Sequence, residues 1–176
     1  MADLTPLLAF RWSPRAFDPG NELRPGEAAS LLEAARWAPS AENRQPWRFA
    51  LGHRDDDTWK RILINLPGGD QSWARHASAL VVGAHTGGDA ERAAYDLGQA
   101  MAHLTVQATA LGLHVRQVTR FDRAGLATEL DLPGDVRPLV VAAVGRLGDP
   151  YALPPDLLAR ETALRHRHPL PFLLLR

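Results

Sequence analysis

The chain reads as one mixed α/β or α+β domain, and three observations lead there. Helix-like and strand-like hydrophobic periods are interspersed along it, with about four or five short strands among the helices. Its 176 residues, 45% of them hydrophobic, suffice for a single core burying roughly 70% of the unfolded surface. No internal repeat or low-complexity tract divides it, and the composition changes only after Asp149-Pro150. Residues 1–176 therefore form one domain, with 151–176 as a C-terminal extension.

Thr5-Pro6 opens a short helix that ends before Trp12, with Thr as N-cap and Pro at the first helical position. Phe17-Asp18-Pro19-Gly20-Asn21 is turn chemistry. A second helix begins near Pro25, with Ala28, Leu31, Leu32 and Ala35 at helical spacing. Trp47 to Leu51 follows as a strand, and Asp55 to Leu66 as a helix with its acidic cluster at the favourable end. Pro67-Gly68-Gly69-Asp70 reads as a loop, and Ala79 to Ala84 as a core strand. From about Gly88 to Leu111 runs the clearest helix, with Ala94, Leu97, Met101, Leu104, Ala108 and Leu111 as one stripe and Gly112 as its stop. Ala93, Ala100, Ala102, Val106 and Ala110 lie off that stripe, so the helix is buried on several sides. Either it is the central helix of a monomer core, or one side meets another subunit. Leu113 to Val118 is a strand, Asp122 to Leu130 a short helix, and Pro138 to Leu147 the last core strand. The extension ends in an apolar, strand-like Phe172-Leu173-Leu174-Leu175, which must fold back or reach a neighbour.

Twenty basic against twenty acidic residues give zero net charge, which argues against nucleic acid or an anionic membrane as partner. Nineteen of the basic residues are Arg, and Lys60 is the one Lys. Arginine suits bidentate phosphate binding, although genome composition produces such a bias too. Cysteine is absent, which excludes thiol chemistry and cysteine metal sites and leaves redox work to a cofactor. No signal peptide or spanning segment is apparent, so the expected setting is cytoplasmic. The sequence holds no G-x-G-x-x-G, phosphate-loop, G-x-S-x-G or H-E-x-x-H motif.

Three constellations can carry chemistry. In Arg11-Trp12-Ser13-Pro14-Arg15-Ala16-Phe17, two guanidinium groups and a hydroxyl within five residues can serve one phosphate, or form an ordinary surface turn. In Ala38-Pro39-Ser40-Ala41-Glu42-Asn43-Arg44-Gln45-Pro46-Trp47, two prolines stiffen a loop that offers polar groups to a planar ring, or simply ends a helix. In Arg165-His166-Arg167-His168-Pro169-Leu170, alternation puts both arginines on one side, to close on a phosphate or to stay solvated. His166 and His168 lack a third ligand at suitable spacing, so no metal site is expected.

Together and in this order, these segments resemble the FMN-dependent nitroreductase family. The resemblance rests on Arg11-x-Ser13-x-Arg15-x-Phe17, on Ala34-Ala35-Arg36-Trp37-Ala38-Pro39-Ser40-x-x-Asn43-x-Gln45-Pro46-Trp47-x-Phe49, and on Tyr95-Asp96-Leu97-Gly98-Gln99-Ala100. It continues through Ala110-Leu111-Gly112-Leu113, Phe121-Asp122 and Arg165-x-Arg167-x-Pro169-Leu170. It implies an α+β, three-layer fold with a central, mostly antiparallel sheet flanked by helices and a C-terminal strand exchanged across a homodimer. It implies FMN as cofactor and NAD(P)H as electron donor. By the same resemblance Arg11, Trp12, Ser13, Arg165 and Arg167 surround the flavin phosphate, and Arg15 reaches the pyrimidine edge. A cation there stabilises the charge of the reduced ring. Pro39, Ser40, Ala41 and Asn43 would come from the partner subunit, Gln71 would place its amide against the ring, and backbone at Val118, Thr119 and Arg120 would face N5.

Three departures stand out. Trp12 takes the place of a basic residue, Thr119-Arg120 stand where many relatives have Gly, and only about ten residues separate Val82 from Tyr95. The implied activity is a ping-pong oxidoreductase passing electrons from NAD(P)H through flavin to a nitroaromatic, quinone or similar small-molecule acceptor. No catalytic side chain is required. The alternative is a flavin-binding protein with little turnover, serving storage, sensing or assembly.

Overall fold

The computed structural model describes residues 3–175. Its centre is a four-stranded antiparallel sheet of β1 (Trp47–His53), β2 (Ala79–His85), β3 (His114–Val118) and β4 (Arg137–Gly145), in the order β1-β2-β4-β3. Trp47 faces His85, Val81 faces Ala142 and Val118 faces Val141, so β3 is an open edge. Strand β2 is buried along its whole length, which is why it reads as an unbroken apolar run rather than an alternation.

Helices cover both faces. On one side α2 (Pro25–Arg36) and α5 (Ala90–Ala110) bring Leu31, Ala35, Leu97, Met101 and Leu104 onto Val81, Val140, Ala142 and Val144. On the other, α3 (Asp57–Ile64), α4 (Gly68–Ala74) and α6 (Arg123–Glu129) bring Trp59, Ile62, Trp73 and Leu126 onto Leu80, Val82, Val141 and Ala143. Each fully buried Leu contributes about 1.5–3 kcal/mol. Helix α3 lies directly on β1, because a Cβ at Gly52 would come within 2.2 Å of the Trp59 nitrogen. The short α1 (Pro6–Ala9) and α7 (Pro155–Glu161) sit outside this sandwich in sequence. No helix among the described residues is long and apolar enough to cross a membrane.

Three expectations change. Pro67-Gly68-Gly69-Asp70 is no loop but the start of α4, with Pro67 at the N-cap position. Burial of Trp73, whose indole N–H donates to Asp70 at 3.0 Å, outweighs the poor helix propensity of two glycines. The buried face of α5 centres on Ala93, Leu97, Ala100, Met101, Leu104 and Ala108, whereas Ala94 and Leu111 are only half-buried. Within the single chain the tail forms no strand: Leu170–Leu173 is a 3-10 turn. Pro169 and Pro171 have no N–H to give to a ladder.

Candidate functional site

The Arg11–Phe17 loop lies beyond the C-terminal end of β4, where Phe17 bridges Leu147. The Gly148 N–H donates to the Ala16 carbonyl at 2.9 Å, and the Asp18 N–H to the Arg146 carbonyl at 3.0 Å. A Cβ at Gly148 would meet the Phe17 carbonyl oxygen at 2.5 Å, so only glycine allows this approach. The buried carboxylate of Glu161, at the end of α7, accepts the Arg15 N–H through both oxygens at 2.9 Å and the Ala16 N–H at 3.3 Å. One acid thus ties the loop to the base of the C-terminal arm.

The arm then returns to the loop. Arg165 donates from its two terminal nitrogens to the carbonyls of Arg11 and Ala9, each at 2.7 Å. Burial, then the nearby charges of Arg165 and Arg167, hold the Arg11 guanidinium below the usual arginine range. Among the described residues none of Arg11, Arg165 and Arg167 pairs with a carboxylate. Arg167 donates to its neighbour, the His166 carbonyl, and His168 stacks on Phe172. Three guanidinium groups from opposite ends of the chain thus lie near one another without a carboxylate among the described residues. Trp12 is half-buried beside them.

Arg15 points elsewhere. Its side chain is only 15% exposed, its guanidinium is 4.0 Å from Glu161, and it makes no side-chain hydrogen bond among the described residues. It helps line a cavity of about 490 Å³ walled by Phe17, Trp73, Leu153 and Leu157. Close by, Arg116 of β3 donates to the Ser13 carbonyl at 3.0 Å and stacks over Trp73, 5.3 Å from the ring centre. Arg116 and Glu161 were not among the residues picked out from sequence. A charge in the middle of a strand flanked by Val115 and Val118 is the signal that marks the first; a single acid four residues before Arg165 marks the second.

The Pro39–Trp47 loop is built differently. Glu42, Asn43 and Gln45 all have positive φ, at 54°, 56° and 50°. Such positions cost about 1–3 kcal/mol each and persist only where their surroundings enforce them. Here the buried Asp96 of α5 accepts the Ala41 N–H at 3.2 Å, and the Ser40 hydroxyl accepts the Gln45 N–H at 3.0 Å. The loop leads into Trp47, which pairs with His85, itself opposite Arg137 at the start of β4. It therefore occupies the end of the sheet away from Arg11–Phe17. The nine residues of β4 alone span roughly 30 Å at ~3.3 Å each. One chain does not bring these two loops together.

Gln71 spends its amide N–H groups on the carbonyls of Leu66 at 2.7 Å and Ile64 at 3.3 Å, capping the loop after α3. Val118 is buried, whereas Thr119 and Arg120 are exposed just past the end of the edge strand.

Known proteins converge on one family. Residues 8–63 match the model of the nitroreductase family. A protein of Mycolicibacterium smegmatis described as "Uncharacterized 15.4 kDa protein in ask 5'region" is 35% identical over 133 residues, covering 68% of this chain and 88% of that protein. The oxygen-insensitive NAD(P)H nitroreductase of Salmonella typhimurium is 32% identical over 54 residues, covering 31% of this chain and 25% of that enzyme. A solved structure described as an oxidoreductase containing FMN superposes with a TM-score of 0.91 at 33% identity, over 99% of this chain and 91% of its own. With the fold and these matches in agreement, the chain belongs to the nitroreductase family.

Proposed function

We propose that the protein is an FMN-dependent oxidoreductase, working as a homodimer, that takes electrons from NAD(P)H and passes them to a small acceptor of the nitroaromatic or quinone type. The observation that carries this reading is the convergence of Arg11, Arg165 and Arg167 with no carboxylate to neutralise them. Three clustered cations are electrostatically unfavourable unless an anion joins them. A flavin phosphate has the required charge and acceptor geometry.

In this reading Arg11, Ser13, Arg165 and Arg167 hold the phosphate, with Trp12 packed beside it, and Arg15 faces the pyrimidine edge. Bound FMN supplies a two-electron relay, so that donor and acceptor take turns at one site. The chain's own residues bind, orient and exclude water. Glu161 fixes the Arg15–Ala16 backbone, and Arg165 fixes Arg11. Pro39, Ser40, Ala41 and Asn43 lie at the far end of the sheet in their own chain, which is consistent with their serving the site of a second copy. The exposed Leu170, Phe172, Leu173 and Leu174 would find cover on that copy. The Gln71 amide would have to leave the Leu66 carbonyl to meet the ring; its backbone can serve without that cost.

Titration with FMN, followed by flavin fluorescence, tests the site. Each lost charge-assisted hydrogen bond costs about 1.5–3 kcal/mol, so Arg11→Ala or Arg167→Ala should weaken binding by roughly tenfold to a hundredfold. Unchanged affinity in both variants would remove the assignment. A second reading, a flavin-binding protein with little turnover, is favoured by the exposed side chains of Thr119 and Arg120 beyond β3. Anaerobic NAD(P)H separates the two. The oxidoreductase bleaches and recovers its yellow colour on adding acceptor; the binding protein stays yellow.

A further inference from the structure

We propose that Arg116 is a second cation of the flavin site, and that its charge favours reduced, anionic FMN over the oxidised form. The inference rests on the FMN reading above and adds to it a residue on a different element from the Arg11–Phe17 loop.

Arg116 sits on the edge strand β3, on the face that carries Trp73. Its Nη1 is held by the Ser13 carbonyl and its plane by the Trp73 ring, but its Nε is buried with no partner. A buried donor left unmade is costly, and a half-buried cation without an ion pair adds to that cost. The carboxylates that face it are already engaged. Asp70 accepts from the Trp73 indole at 3.0 Å, and Glu161 accepts the Arg15 and Ala16 backbone N–H groups. Neither forms an ion pair with Arg116 among the described residues. Arg15 also faces it with like charge. Two part-buried guanidinium groups therefore share one region, with a single carboxylate 4.0 Å from Arg15.

Strand geometry gives the pair its place. Arg116 is anchored to Ser13 at the phosphate end, while Val118 lies two residues, or roughly 7 Å, further along the same open edge. Its charge is thus fixed between the phosphate cluster and the backbone assigned to flavin N5. A fixed cation attracts a ligand more strongly once that ligand gains negative charge. Arg116 is accordingly set to act on the redox equilibrium and not on affinity alone.

The test compares wild type with Arg116→Gln and Arg116→Lys, measuring affinity for oxidised and for reduced FMN and the two-electron midpoint potential. Arg116→Met, which keeps packing on Trp73, replaces the Gln variant if that one does not fold. Removing the charge should weaken reduced FMN about tenfold more than oxidised FMN, which lowers the midpoint by about 30 mV for a two-electron couple. Lysine, which loses the Ser13 bond but keeps the charge, should restore most of that difference. Equal losses for both forms, or an unmoved midpoint, would show that Arg116 only props up the loop and would overturn the proposal. A wild type that binds FMN in neither form gives no midpoint to measure and overturns the functional reading together with this one.

Discussion

The two arginine-bearing segments that meet at Arg11 and Arg165 are opposites in construction. The Arg11–Phe17 loop is fastened at every step, by Glu161 under Arg15 and Ala16, by Arg116 under Ser13 and by Gly148 against Phe17. The arm from Thr162 onward is exposed throughout, and Arg165 is its one hydrogen-bonded tie back to the domain among the described residues. For the proposed phosphate site, a rigid half would put donors in place before the ligand arrives, which lowers the ordering cost of binding. The other half can be supplied late. What the difference teaches is that the loop is held by contacts within one fold, whereas the arm owes almost none of its position to that fold.

The sharpest way to break that contrast is to unfasten the rigid half. Glu161→Ala leaves two backbone N–H donors, those of Arg15 and Ala16, without their acceptor and removes the carboxylate 4.0 Å from the Arg15 guanidinium. Buried donors left unsatisfied cost about 1–3 kcal/mol each, so a loss of about 3–5 kcal/mol is expected, more than most single substitutions produce. For a domain of this size that is a fall of roughly 10 °C in melting temperature, at ~2–4 °C per kcal/mol. FMN affinity should fall with it, as the Arg15 backbone drifts. A melting temperature within a degree or two of wild type would mean that the loop holds its shape without the acid.

The arm should respond in the other sense. Phe172 is 79% exposed, and Leu173 and Leu174 are similarly open, so Phe172→Ser with Leu174→Ser removes little from the chain's own core. Stability of the isolated fold should stay within about 0.5 kcal/mol. Association of two copies should weaken at least tenfold, read by sedimentation over a range of concentrations. If the variant associates as wild type does, the arm does not join the copies.

How much of this was written in the sequence follows the same division. Long hydrophobic periods placed α2, α5 and all four strands to within a few residues, because burial on one or both faces imposes the pattern directly. The start of α4 was not legible, since Pro67-Gly68-Gly69-Asp70 has turn chemistry and only the burial of Trp73 makes it helical. The tail looked like a strand for a related reason: its leucines signal burial, but within the single chain Leu170–Leu173 is a 3-10 turn with those side chains exposed. At the site, the arginines of the loop and the arm stood out by spacing. Glu161 and Arg116 did not, because their roles are contacts across 146 and 103 residues of chain, which no local pattern encodes.

The mildest test compares the two ends of the sheet through their histidines. His114 begins β3 near the rigid loop, and His85 ends β2 near the Pro39–Trp47 loop. His85 is buried and His114 half-buried, and the Nδ1 of each is buried with no partner. Burial pushes the His114 imidazole below its usual value of 6.5, and burial followed by the Arg137 charge does the same to His85. His76 is shifted the same way, by burial and then by Arg75 and Arg54. Each folded value thus lies below the unfolded one, so as pH falls through 6.5 the unfolded chain takes up protons that the folded chain refuses. Stability is full above about pH 7 and declines with acidification until the folded histidines also protonate. Urea unfolding at pH 7.5 and at 5.5 should show this decline, and His114→Gln should remove at most one proton's share of it. An unchanged pH slope in that variant would mean that the imidazole at the rigid end finds water and is not held below its usual value by burial.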